Sequence, residues 1–245
     1  MLATMMRAAI RNAVRAFGYD IINYGRQDSL YAHLRELLRA SAINCVLDVG
    51  AHVGDFGKML REVGYAGRII SFEPVQDSFD RLKLAAAADH EWRTERMALG
   101  REEVAKQINV SEASNFSSFR SPNQYATRQF GAMPTVRRVE TVVVRRLDSV
   151  LAELLAGIRE PRVFLKIDTQ GYDLEVLEGA GASLDGIFAL QTEIAVKPIY
   201  EGVGPMQQTL ARLGELGFEI TGLYPVSRDA QLRVIEFDCV MVRAA

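Results

Sequence analysis

The sequence predicts a doubly wound α/β fold, in which helices cover both faces of a mostly parallel sheet. Short apolar runs alternate along the chain with amphipathic segments of helical period. The stretch 44–74 shows this most clearly: strand, glycine loop, helix and strand, with Asp48 and Glu73 at the two strand ends. The last two runs, 218–223 and 234–242, are joined without a helix, which predicts an antiparallel strand near the end.

The first forty residues predict a helical cap, residues 1–40, ahead of a domain that spans 41–245. Apolar residues recur at helical spacing in the first segment, while Arg7, Arg11 and Arg15 share another face. Such a basic amphipathic helix can pack on the domain, serve a homodimer, or make peripheral contact with an anionic membrane. Amphipathic helices usually face a core, so the pattern favours packing on the domain.

The remaining elements follow from the same two periods. Helices are predicted at Leu30–Leu38, 77–88, 148–155, 174–179 and 206–216, and strands at 92–99, 104–110, 136–144, 163–167 and 187–194. Asp148 is expected to cap its helix. By contrast, 111–134 is rich in serine, asparagine and proline and lacks a period. We expect this stretch to be a long surface loop that serves as a lid.

The composition excludes several classes of protein. The chain has 245 residues, 49% of them hydrophobic and 24% charged, and a net charge of −2, so no nucleic-acid partner is expected. Cys45 and Cys239 both lie in apolar runs, which predicts buried, reduced thiols and a cytoplasmic protein. No apolar run is long enough to span a bilayer.

The loop after the first strand predicts the kind of ligand. Gly50 and Gly54 have Gly-x-x-x-Gly spacing, and Phe56 stands near the position where a dinucleotide fold packs its third glycine, so a pyrophosphate fits poorly. The carboxylate of Asp48 would attract a sulfonium and repel phosphate. Glu73 is placed to bind ribose hydroxyls. Together these features predict S-adenosylmethionine, against the simpler interpretation of a structural turn with surface acids.

A second group of candidate residues follows two later strands. Asp168 ends the run 163–167, and Glu193 lies near the end of the next strand. Either could orient an acceptor hydroxyl and take its proton, and two hard oxygen ligands would suit Mg²⁺. A capping role for Asp168 is the alternative, and metal dependence stays open because two ligands do not make a site. His52, within the glycine loop, is a third catalytic candidate.

Seven stretches of the chain resemble the FkbM-type methyltransferases. They are VLDVGAHVGDF (46–56), SFEP (71–74), MALG (97–100), SNFSSF (114–119), RRLDSVL (145–151), LKIDTQGYDLEVLEGA (165–180) and TEIAVKPIYEG (192–202). The resemblance implies a class I, Rossmann-like, seven-stranded methyltransferase domain. It also implies that the cofactor is held by Asp48, Gly50, Ala51, His52, Gly54, Glu73, Met97, Ala98, Ser117 and Ser118. Asp168 and Glu193 would then face the reacting centre.

The resemblance further implies an O-methyltransferase that acts on a sugar hydroxyl of a glycolipid, polysaccharide or other small-molecule or glycoconjugate acceptor. A polyketide hydroxyl is the alternative acceptor. Many members of the family have glutamate where this chain has Gln170, and the missing carboxylate weakens the case for a metal. A nicotinamide-dependent oxidoreductase and a non-catalytic cofactor-binding protein are the competing functions, and the glycine spacing argues against the first.

Overall fold

The computed structural model describes residues 14, 29–111, 117–130 and 136–244, and its fold is the predicted doubly wound α/β sheet. Apart from residue 14, the amphipathic segment at the start of the predicted cap lies outside the described residues. None of the described helices is long and apolar enough to cross a membrane.

The described elements lie close to the predicted ones. The strands are β1 (Cys45–Val49), β2 (Arg68–Phe72), β3 (Trp92–Glu95), β4 (Ala98–Leu99), β5 (Val104–Ser111), β6 (Val136–Arg145), β7 (Val163–Ile167), β8 (Ile187–Ala195), β9 (Phe218–Arg228) and β10 (Val234–Arg243). The helices are α1 (Leu30–Ala40), α2 (Asp55–Glu62), α3 (Gln76–Ala86), α4 (Gln124–Phe130), α5 (Leu147–Leu154), α6 (Asp173–Ala180) and α7 (Met206–Glu215). A 3₁₀ helix, Gly181–Gly186, precedes β8.

The central sheet has seven strands in the order β3-β2-β1-β7-β8-β10-β9. Strand β1 pairs in parallel with both β2 and β7, so the strand order runs in opposite directions from this central pair. Strand β10 is antiparallel to both β8 and β9. The antiparallel strand near the end of the chain is therefore confirmed, and so is the seven-stranded sheet.

Alternate residues of each buried strand face opposite layers of helices. Val46 packs with Leu60 of α2 on one face, in a cluster that also contains α1 and α3 side chains. Leu47 belongs to the cluster on the other face, with Leu177 of α6 and residues of α5 and α7. These side chains are nearly or completely buried, and burying a leucine stabilises the fold by about 1.5–3 kcal/mol. Because both faces are covered, β1 and β7 are apolar almost throughout.

The structure corrects three predicted elements. The single strand expected at 92–99 is divided between β3 of the central sheet and β4, which pairs with β6 in a separate three-stranded sheet. The stretch 111–134 is not loop throughout, because it contains helix α4, while residues 112–116 and 131–134 lie outside the described residues. Asp148 lies in the first turn of α5, whose N-cap is Arg146.

Trp92 packs against two glycines at the junction between the first loop and α2. Gly54 forms the N-cap of α2 with φ +87°, and a Cβ there would lie 3.2 Å from the Trp92 ring. A Cβ on Gly57 would lie only 2.1 Å from Cζ2 of that ring. The helix therefore has a glycine for close packing, one residue beyond Phe56.

We expect Gly57→Ala to destabilise the protein by about 1–3 kcal/mol, although alanine is the better helix former. The new methyl group would displace Trp92, which is 7% exposed and whose Nε1 donates a hydrogen bond to Ser71 Oγ at 3.0 Å. Urea unfolding measures the change. Gly214→Ala in α7 is the matched control, since a Cβ there meets nothing within 4 Å and should be neutral or stabilising. Equal stabilities for both variants would contradict the packing argument.

Candidate active site

A cavity of about 520 Å³ opens at the carboxyl edge of the central sheet. It lies where β1 and β7 end side by side, at the point where the strand order reverses, which is where open α/β sheets bind ligands. The loop after β1, Glu73 after β2, Asp168 after β7 and Glu193 near the end of β8 all line it. Residues from the three-stranded sheet and from β10 complete its walls.

The loop after β1 contacts both the end of β2 and the loop after β7. The backbone N–H groups of Gly50 and Ala51 both donate to the Phe72 carbonyl at the end of β2, at 3.1 and 3.0 Å. Gly50 has φ +77°, and a Cβ there would lie 1.9 Å from the Asp168 carbonyl oxygen. Only glycine therefore allows the β1 and β7 loops to approach so closely. Ala51 and His52 follow and line the cavity.

Glu73 is held in place by two backbone N–H groups. His52 N donates to Oε2 at 2.9 Å and Val75 N to Oε1 at 2.8 Å, and the side chain lines the cavity. Burial raises the pKa of Glu73 to about 7, although the two backbone hydrogen bonds oppose the shift. Burial also lowers the pKa of the His52 imidazole, so its neutral form is favoured. Each carboxylate oxygen of Glu73 keeps a lone pair for a ligand hydroxyl.

Asp48 lies beneath the cavity instead of lining it. The side chain is fully buried, and it accepts a hydrogen bond from Ser71 Oγ at 3.0 Å. The ammonium group near it belongs to Lys166, whose Nζ is 3.2 Å from Asp48 Oδ1 and 3.4 Å from Asp168 Oδ2. Burial alone would lower the pKa of Lys166, but the two carboxylates outweigh burial and raise it. The Lys166 ammonium group thus bridges Asp48, beneath the loop after β1, and Asp168, at the end of β7.

Gln170 occupies the space between the two predicted catalytic acids. Its Nε2 donates to Asp168 Oδ1 at 3.0 Å and to Glu193 Oε2 at 3.2 Å, and its Oε1 accepts from the Tyr200 hydroxyl at 2.8 Å. An amide that donates to both carboxylates stands where Mg²⁺ would have to bind. Among the described residues, no group of three or more His, Cys, Asp or Glu side chains is arranged to hold a metal. The predicted Mg²⁺ site therefore has no support.

The remaining predicted cofactor residues fall into two groups. Met97, Ala98 and Ser117 line the cavity. Ser118 lies behind the wall, where its hydroxyl donates to the Gln170 carbonyl at 2.7 Å and ties the predicted lid to the loop after β7. Gly54 likewise lies behind the wall, as the cap of α2.

The family model for the methyltransferase FkbM domain matches residues 48–220, more than half of the chain. The chain belongs to the FkbM methyltransferase family. No curated protein matches it significantly. Among solved structures, a putative S-adenosylmethionine-dependent methyltransferase from Listeria monocytogenes is 9% identical, with a TM-score of 0.48 over 88% of this chain and 98% of that chain. Aeropyrum pernix fibrillarin with natively bound S-adenosyl-L-methionine is 12% identical, with a TM-score of 0.47 over 90% and 76%.

The structure adds site residues of this FkbM methyltransferase that the sequence did not reveal. Lys166 is a charged residue within an otherwise apolar strand, and this interruption is the feature of the sequence that could have indicated its role. Tyr200 orients Gln170 from a turn after β8. Glu236 and Asp238 line the cavity from β10, as does Gln191 from β8. The spacing of two residues shows that Glu236 and Asp238 lie on the same face of β10. Which face of the sheet borders the cavity, however, depends on the order of the strands.

Proposed function

We propose that this FkbM methyltransferase transfers the methyl group of S-adenosylmethionine to a hydroxyl oxygen. The observation that carries the proposal is the Asp168 carboxylate, which lies at the junction of the β1 and β7 loops. On one side of it the cavity is lined by the glycine loop and Glu73, and on the other by Glu193 and residues of β10. A carboxylate at this junction can accept the proton of an acceptor hydroxyl while the methyl donor lies alongside.

The cofactor half of the cavity suits S-adenosylmethionine. Glu73 is fixed by two backbone hydrogen bonds and can accept from both ribose hydroxyls. Met97 and Ala98 supply an apolar wall of the kind that an adenine ring requires. When bound, this cofactor supplies a methyl group on a positively charged sulfur.

Methyl transfer of this kind is an in-line displacement, so orientation of the hydroxyl contributes much of the rate. Lys166 and Gln170 hold the Asp168 carboxylate from two sides, at 3.4 and 3.0 Å. Asp168 in turn would orient the hydroxyl and take its proton. His52 is a second candidate base, because it faces the same cavity and burial lowers its pKa.

A sugar hydroxyl is the proposed acceptor. The floor of the acceptor half is polar, and sugars offer many hydrogen-bond donors and acceptors to such a surface. Its residues are Gln191, Glu193, Ser227, Glu236 and Asp238. The apolar rim of Leu30, Tyr31, Phe130 and Val226 supports the alternative, a polyketide hydroxyl. Membership of a methyltransferase family favours both over an oxidoreductase or a non-catalytic binding protein.

Replacing Glu73 with alanine should weaken S-adenosylmethionine binding about tenfold to a hundredfold, because hydrogen bonds from the ribose to a charged group are lost. Calorimetry measures the affinity. The affinity of the unmodified protein should also fall between pH 8 and pH 6, since the pKa of Glu73 is about 7 and its ionised form is the better acceptor.

Two variants separate this role of Glu73 from a general effect. Glu73→Gln keeps the shape of the side chain but should remove that part of the pH dependence. Asp185→Asn removes an exposed carboxylate from the opposite edge of the sheet and should bind the cofactor normally. If the unmodified protein binds no S-adenosylmethionine, the proposed function is wrong.

A further inference from the structure

The acceptor half of the cavity holds a row of carboxylates on neighbouring strands. Asp168 follows β7, Glu193 lies on β8, and Asp238 pairs directly with Glu193 across the β8–β10 ladder. Glu236 lies two residues before Asp238 and therefore on the same face. Like charges directly opposite each other in a sheet are destabilising. This arrangement of carboxylates therefore lowers the stability of the protein unless an opposite charge offsets the repulsion.

The described lining residues do not compensate this charge. Lys166 is the one lysine or arginine among them, and it already contacts Asp48 and Asp168. Burial raises the pKa of Glu193 and of Asp238, and it raises the pKa of Glu236 to about 7, with neighbouring acids adding to each shift. Ionisation of these carboxyl groups is thus unfavourable, and a cation bound beside them would stabilise the ionised forms. No cluster suited to a metal ion is formed by the described residues, which points to an organic cation.

Gln191 supplies an independent indication of a ligand. It lines the cavity, its side chain is 4% exposed, and its Nε2 donates to Asp238 Oδ1 at 3.0 Å. Its Oε1 is buried and has no hydrogen-bond partner among the described residues. A buried amide oxygen without a donor costs about 1–3 kcal/mol. The Gln191 oxygen therefore lacks an N–H or O–H donor that a ligand in the cavity could bring. The acids beside it already accept hydrogen bonds from Gln170, Gln191 and Ser227, and what they lack is an opposite charge.

We infer that the acceptor of this methyltransferase carries a protonated amine, which binds at Gln191, Glu236 and Asp238 while its hydroxyl lies at Asp168. The inference rests on the proposed function and narrows it to amino sugars or comparable amino alcohols. An ammonium group offers three donors and a positive charge, which match the unsatisfied amide oxygen and the uncompensated carboxylates. A neutral sugar would satisfy the hydrogen bonds but would leave the charges unbalanced.

Calorimetry at pH 8 with the protein saturated with S-adenosylhomocysteine tests this inference. The probes are glucose substituted with an amine at carbon 2, 3 or 6, each compared with its N-acetyl derivative and with glucose itself. At least one amine should bind about tenfold or more tightly than both of its neutral counterparts, as expected for a desolvated charge pair. Glu236→Gln and, separately, Asp238→Asn should remove that preference, and Asp185→Asn should keep it.

The outcomes separate the inference from the proposed function. If S-adenosylhomocysteine itself does not bind, the proposed function fails and the inference fails with it. If it binds but no amine is preferred over its neutral counterparts, or none binds, only the inference is overturned. The comparison within the unmodified protein needs no variant, so a variant that fails to fold would not obscure the result.

Discussion

Asp168→Asn should lower the turnover number by about 10²–10⁴ while leaving S-adenosylmethionine affinity within about twofold, because a positioned base contributes that much to proton transfer. Asparagine has nearly the same shape and can still accept a hydrogen bond from Gln170, but it cannot take a proton. Calorimetry reports the cofactor affinity, and transfer of a radiolabelled methyl group to the best acceptor of a sugar panel reports the turnover.

The control for Asp168→Asn is again Asp185→Asn, which removes an exposed carboxylate from the far edge of the sheet and should leave turnover unchanged. Turnover of Asp168→Asn within threefold of the unmodified protein would remove Asp168 from the chemistry. In that case His52, which faces the same cavity, becomes the candidate base, and His52→Gln should then produce the large loss.

Local pattern was enough to predict the elements that form the first half of the candidate site. From β1 to Glu73 the strands, the glycine turn and the helix follow one another within about thirty residues, and each is specified by neighbours in sequence. The carboxyl ends of parallel strands meet at one edge, so acids at two strand ends predicted a shared cleft. Pattern alone could not show that Asp48 would be buried beneath the loop, because burial depends on Ser71 and Lys166 across two strand pairings.

The second half of the site depends on long-range register. Glu236 and Asp238 reach the cavity only because β10 is inserted between β8 and β9, with Asp238 opposite Glu193. No local feature of the sequence predicts that Asp238 pairs with Glu193. The same limit explains the Mg²⁺ prediction: two acids at strand ends suggested a metal, but the placement of Gln170 between them depends on Tyr200, thirty residues away.

Lys166→Met should destabilise the protein by about 3–5 kcal/mol, because it leaves a buried carboxylate without its partner. Lys166 is 5% exposed and Asp48 is fully buried, and Oδ1 of Asp48 has no hydrogen-bond partner among the described residues. The 3.2 Å ion pair with Lys166 is therefore the interaction that balances that oxygen. Urea unfolding measures the loss. Lys58→Met removes a surface pair with Asp55 at 3.0 Å, with Lys58 47% exposed, and should cost at most about 1 kcal/mol.

The double variant Asp48→Asn/Lys166→Met decides whether the effect comes from the unpaired charge or from lost packing. If the charge is responsible, removing both partners should recover part of the stability that Lys166→Met loses, because neither position 48 nor position 166 then carries a buried charge without its partner. If packing is responsible, the double variant should be at least as unstable as Lys166→Met. Since Lys166 also contacts Asp168, the double variant should regain stability and still lose turnover. Recovery of both would show that Lys166 serves the fold and not the reaction.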